Sequence, residues 1–144
     1  MREIYRILDA NLNRLREGLR VLEEIARFVL DDEKLTSQLK DIRHQVTAVS
    51  NSLPISVIDL LEARESSQDV GADSWTAEEM SRDSLLEVVA ANCKRVQEAS
   101  RVLEEFGKMC NIAADARAFK RIRFTAYSLE KELWQKICTI NENN

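Results

Sequence analysis

Two asparagines sit where apolar residues belong. Wound as a helix at about 100° per residue, the segment around Asn11 brings Ile4, Ile7, Leu15, Gly18, Leu22 and Ile25 within about 40° of the Asn11 direction. That amide therefore lies at the centre of an apolar stripe. Asn92 repeats the arrangement among Val88, Val96, Ala99, Leu103 and Phe106. Arg14 and Arg95 lie about 60° from their asparagines, at the edge of the same faces, with Glu17 and Glu98 further round. Burying an unpaired amide costs roughly 1–3 kcal/mol, so a chain that does it twice in register must supply partners. Two readings are open. The amides bond each other and fix helix register, as a buried asparagine does in a coiled coil, or they line a polar pocket and bond a ligand.

Glu130 is a third polar residue on an apolar stripe, among Ile122, Ala126, Leu133 and Ile137. A buried carboxylate needs a cation or several donors. Arg123, Arg14 and Arg95 are the candidates, in a structural ion pair or in a site. Arg20 with Glu24 and Arg101 with Glu105 read as solvated i,i+4 pairs worth a few tenths of a kcal/mol. His44, the lone histidine, lies opposite its helix's apolar stripe and makes no triad. Cys93, Cys110 and Cys138 form no CxxC pair and read as reduced structural thiols of a cytoplasmic protein. No GxxxxGK[ST] or GxGxxG run is present. A formal net charge of −4 with interspersed signs argues against nucleic acid as partner. The amphipathic start and the lack of an apolar run of roughly 20 residues argue against a signal peptide and a membrane span.

The elements that must position these groups are legible from an internal repeat. NLNRLREGLRVLEEIARF (11–28) aligns with NCKRVQEASRVLEEFGKM (92–109) at an offset of 81, with Asn11, Arg14, Glu17, Arg20, Val21, Leu22, Glu23 and Glu24 identical to their counterparts. LKDIR (39–43) meets FKRIR (119–123) at an offset of 80. Each half reads as two helices, at about 3–30 and 33–50, then at about 82–110 and 114–140. Asp31-Asp32 ends the first helix and caps the second. Two hairpins with one apolar face each can bury those faces only against each other. The expected fold is all-α: a single domain over 1–144, a four-helix bundle of two tandem hairpins with pseudo-two-fold symmetry. The long connection at 51–81 is expected to carry a short helix at Ser56–Ala63, a loop at 64–75 folded over the bundle, and a capping box at Thr76 and Glu79.

ILDANLNRLREGLRVLEEIARFVLDD, LKDIRH, LEARESSQDVG, ANCKRVQEASRVLEEFGK and RFTAYSLEK, in that order, resemble the helical hydroxymethylpyrimidine phosphate kinase family of thiamine biosynthesis, which occurs alone or fused ahead of thiamine-phosphate synthase. The resemblance spans about 3–131. It implies ATP-dependent phosphorylation of 4-amino-5-hydroxymethyl-2-methylpyrimidine phosphate to the diphosphate, with Mg²⁺, feeding thiamine-phosphate synthase. That synthase is a TIM barrel, which needs roughly 200–250 residues of alternating strand and helix, and none of that pattern is in this chain. Carried onto matching positions, Asn11 and Asn92 would orient the pyrimidine, and Arg14, Arg95 and Arg123 would bind substrate, since a guanidinium suits phosphate oxygens. Arg64, Gly71, Arg20 and Arg101 belong to the same matched blocks and are phosphate or loop residues. Asp69 is the first choice for activating the acceptor hydroxyl or binding Mg²⁺, with Glu17, Glu98 and Glu130 as rivals. Ser100 departs from the pattern, standing where an apolar residue is expected. The alternative to a kinase is a non-catalytic helical module that partners thiamine-phosphate synthase or oligomerises, a homodimer included.

Overall fold

The computed structural model describes residues 1–144, apart from the side chain of Ala113. It holds five α-helices and, among the described residues, no strand: α1 (Arg2–Phe28), α2 (Glu33–Ser52), α3 (Val57–Ala63), α4 (Leu85–Met109) and α5 (Ala113–Glu142), with one 3₁₀ turn at Ser66–Gln68. Each long helix is set by its apolar spacing, and most of the apolar stripe residues are buried, with Ile4, Ile7, Val88 and Phe106 half-buried. Leu8, Leu15 and Leu22 of α1, Leu35, Leu39 and Val46 of α2, Val89, Val96 and Leu103 of α4, and Phe119, Ile122 and Leu133 of α5 form one core. Among the described residues, no helix is long and apolar enough to cross a membrane.

The caps follow local chemistry. Asp32 precedes α2, and its carboxylate accepts the Leu35 N–H at 2.8 Å. Asp31, at φ 48°, makes the turn. Ser56 and Asp59 form a reciprocal capping box that starts α3. Thr76 and Glu79 make both bonds of such a box, at 2.8 and 3.3 Å, yet no helix follows. Helix α4 begins later, behind Ser84, because the residues after Thr76 lack an apolar stripe to bury.

α1 packs against α4, α2 against α1, α5 against α4, and α2 also meets α5. Inside each hairpin one buried carboxylate meets an arginine of the next helix. Glu23 of α1 takes Arg43 Nε at 2.7 Å, and Glu104 of α4 takes Arg123 Nη2 at 2.8 Å. Arg20 and Arg101 add second cations from the same helices as the acids. The two staples are counterparts under the repeat. Both acids are nearly buried, at 4% and 6% exposure. Burial on its own would raise both carboxyls, but hydrogen bonds and charge from the arginines outweigh it and hold them below the ordinary carboxylate value.

Arg123→Met leaves Glu104 buried with only Arg101, and should cost about 3 kcal/mol, the low end for breaking a buried pair, measured by urea unfolding at pH 7. The lowered acids bind protons less readily folded than unfolded. Their stabilisation should be complete above the unfolded value near 4.5 and be lost as pH falls through the lower native values. Urea midpoints measured from pH 6 to pH 3 should fall less steeply for Glu23→Gln/Glu104→Gln than for the parent.

Candidate functional site

Helices α1 and α4 pack against each other, with Gly18 at their close approach. The cleft between them has a volume of about 900 Å³, and residues 71–82 of the connection close one side. α1 contributes Asn11, Arg14, Glu17 and Val21; α4 contributes Asn92, Arg95, Glu98 and Val102. These are the same four residue types at the same spacing from both repeats. Gly71, Trp75, Glu79 and Arg82 come from the connection, and Lys94 from α4. The repeated identities thus divide by face: asparagine, arginine, glutamate and valine line the cleft, whereas Arg20, Glu23, Arg101 and Glu104 staple the hairpins.

Gly18 is what lets the helices approach. A Cβ there would lie 2.9 Å from Val96 Cγ2 and 3.2 Å from the Asn92 carbonyl oxygen. The floor of the cleft is therefore a near-contact of two backbones, and it sets the separation of the paired asparagines.

The asparagines do not bond each other. Asn11 Nδ2 donates to the Ile7 carbonyl at 2.9 Å, and Asn92 Nδ2 donates to the Val88 carbonyl at 2.8 Å. Each amide is pinned to its own helix, one turn back, with the nitrogen fixed as donor. Among the described residues, neither side-chain carbonyl accepts a hydrogen bond, and both side chains line the cleft. Arg95 reaches across to Glu17 at 3.3 Å, the one ion pair that spans the cleft among the described residues. Arg14, Arg82 and Lys94 have no carboxylate within salt-bridge distance among the described residues. Arg82 Nη1 donates instead to the Glu78 and Ser81 carbonyls, at 2.7 and 2.9 Å, which holds its stem to the loop. The cleft is lined by Arg14, Arg82, Lys94 and Arg95 against Glu17, Glu79 and Glu98, a small positive excess in a chain of net charge −4, which suits a compact anion.

Other residues singled out in the sequence lie elsewhere. Arg123 is not a cleft residue; it is held by Glu104 and by the Tyr127 hydroxyl. Glu130 takes no cation: Gln97 Nε2 donates to it at 2.6 Å. Its charge and, more, burial push the neighbouring Cys93 thiol up to about 12. Arg20 and Arg101 pair with Glu24 and Glu105 at 3.2 and 2.8 Å as well as with the staple acids. Arg64 is bidentate to Asp9 of α1, at 2.7 and 2.8 Å, which ties the connection down. Asp69 faces a separate recess of about 180 Å³ beside that pair, and its Oδ1 accepts the Gly71 N–H at 2.9 Å. His44 is exposed. Ser100 is fully buried, its hydroxyl satisfied by the Val96 carbonyl at 2.7 Å. Trp75, Arg82 and Lys94 were not singled out in the sequence, because nothing in periodicity shows which part of a connection lies over a cleft.

Among the described residues, no three His, Cys, Asp or Glu side chains cluster closely enough to hold a metal unaided. Mg²⁺ is commonly held by one or two carboxylates together with substrate phosphates and water. Glu17, Glu79 and Glu98 fit that role in the cleft.

Fold and site define an all-helical domain with a duplicated, polar, cation-bearing cleft. The chain belongs to the ThiD2 family, whose model matches residues 6–132. It is similar to proteins named thiamine-phosphate synthase: 41% identical to that of Rhodopirellula baltica over 97% of this chain and 36% of the relative, and 42% identical to that of Synechocystis sp. over 90% of this chain and 36% of the relative. The Nostoc sp. (strain PCC 7120) protein is 41% identical over 90% of this chain and 35% of its own length. The chain thus spans about a third of the length of these curated relatives, and it is associated through them with thiamine biosynthesis. No solved structure matches it.

Gly18→Ala should lower stability by about 1–2 kcal/mol. Overpacking costs roughly 1–3 kcal/mol, and the better helix propensity of alanine returns under about 1. Thermal unfolding measures it; a rise in Tm would show that the helices are not in close contact there.

Proposed function

We propose that this chain converts 4-amino-5-hydroxymethyl-2-methylpyrimidine phosphate to the diphosphate at the expense of ATP. The reading rests on family membership and on one observation: matched asparagines and arginines from two hairpins face a single cleft. The hairpins act as pseudo-two-fold partners in a four-helix bundle. The unpartnered side-chain oxygens of Asn11 and Asn92 suit the amino group of the pyrimidine, and the second N–H of each amide suits its ring nitrogens. Arg14 and Arg95 suit its phosphate.

The acceptor is a phosphate oxygen, with its hydroxymethyl group already esterified. A monoester has a second pKa near 6, so the nucleophile is largely ionised at neutral pH and no base is required. That removes the need for Asp69, Glu17 or Glu130 to activate a hydroxyl. A P–O bond forms from the acceptor oxygen to the γ-phosphorus, the bond from γ-phosphorus to the β–γ bridging oxygen breaks, and ADP leaves. The obstacle is bringing two polyanions together. Catalysis in such transfers is positioning and charge stabilisation, which Arg14, Arg95, Arg82 and Lys94 would supply. Glu17 holds Arg95 in place, and Glu98 is free to meet a divalent cation. When bound, Mg²⁺ would neutralise triphosphate charge.

Mass spectrometry of protein mixed with pyrimidine monophosphate, ATP and Mg²⁺ should show the diphosphate. Asn11→Ala and Arg14→Ala, folded by circular dichroism, should lose about tenfold to a hundredfold in kcat/KM, as expected for one charged or buried hydrogen bond. Full turnover in both would remove the cleft from the reaction.

A second reading has its own observation. Phe124, Tyr127 and Trp134 leave an exposed aromatic stripe on α5, beside Lys120 and Lys131. Their counterparts in α2 and just beyond it are His44, Thr47 and Pro54, so the fold does not require aromatics there. Such a stripe suits a non-catalytic module docked on thiamine-phosphate synthase. Co-elution with that synthase, abolished by Phe124→Ser/Trp134→Ser, together with no diphosphate formation, would favour this reading.

A further inference from the structure

We infer that Trp75, Arg82 and Lys94 form the nucleoside-triphosphate side of the cleft, an inference that rests on the phosphotransfer reading above. The paired half-sites are alike in amide, guanidinium and carboxylate, so they do not tell donor from acceptor. What differs is Lys94, whose counterpart in α1 is Asn13, and the connection, which covers the cleft. Trp75 lines the cleft and is 66% exposed as a residue. An indole left open beside cations is a platform on which a base can stack.

Arg82 and Lys94 stand at a boundary. Together with Glu79 and Ala91 they line both the cleft and an adjoining recess of about 750 Å³. Beyond them the recess carries Asp83 and Glu87, which repel anions. A polyphosphate is therefore held at the boundary and goes no deeper, with its terminal phosphoryl group toward Arg14 and Arg95, where the acceptor phosphate sits. Two contiguous spaces also give a nucleotide and a pyrimidine phosphate room together, since the cleft alone already reaches the upper part of the roughly 300–1,000 Å³ range of small-ligand sites.

The chain has two tryptophans, so Trp134→Phe leaves Trp75 as sole reporter. Titration of that variant with adenylyl imidodiphosphate and Mg²⁺ should change Trp75 fluorescence saturably. Arg82→Ala and Lys94→Ala should each weaken binding of this analogue by about tenfold or more, the loss expected for one charge-assisted hydrogen bond. Their affinity for the pyrimidine monophosphate by calorimetry should stay within about twofold. An unresponsive Trp75, or analogue affinity undiminished in both variants, overturns the assignment. Diphosphate formation by the parent with KM for ATP unmoved in both variants would overturn the location alone. Nucleotide binding that behaves as expected, with no diphosphate formed by the parent, would overturn the reaction and leave the site standing.

Discussion

Each repeat buries a glutamate, and a buried carboxylate tolerates only a tightly bonded cation. In both hairpins that cation comes from the following helix, Arg43 for Glu23 and Arg123 for Glu104. The pairing sets how the second helix of each hairpin is rotated on the first. With that rotation set, the leucines face the core and the asparagines are left on the face that α1 and α4 turn to each other. Gly18 then sets how close the two halves come.

Much of this could be read from residue order. Long amphipathic helices, the repeat and the anomalous amides all follow from a 3.6-residue period, and the helix limits fall within a few residues of those expected. Asn11 and Asn92, polar within apolar stripes, mark the cleft in the sequence. The failures have a common physical origin. A helical wheel gives direction but not partner. Glu130 was rightly placed on an inward face, yet its partner is a neutral glutamine of the neighbouring helix. Arg123, a candidate partner for Glu130 and for substrate, is half-buried and serves the staple. Its match with Arg43 under the repeat, facing matched acids, was visible in the sequence and would have shown a structural role.

The connection was least legible. Its Thr76–Glu79 box makes the expected bonds without starting a helix, because capping stabilises a helix end only where an apolar face follows. Arg64 and Asp69, adjacent in one sequence block with Gly71, point to a small recess on α1 and not to the cleft, whereas Gly71 and Trp75 reach the cleft. Side-chain direction in an irregular segment depends on each φ and ψ, and no period reports it.

A duplicated hairpin has two equal arms but a single strap. Left bare, the hollow between the arms would present nearly the same amides, guanidinium groups and carboxylates to a guest entered either way round, with Lys94 in place of Asn13 as a difference between the walls. Residues 71–82 lie over it from one side and end that degeneracy. The repeated hairpins supply the walls; the unrepeated span, together with Lys94, confers a sense of direction on a cavity that the repeat leaves nearly ambidextrous.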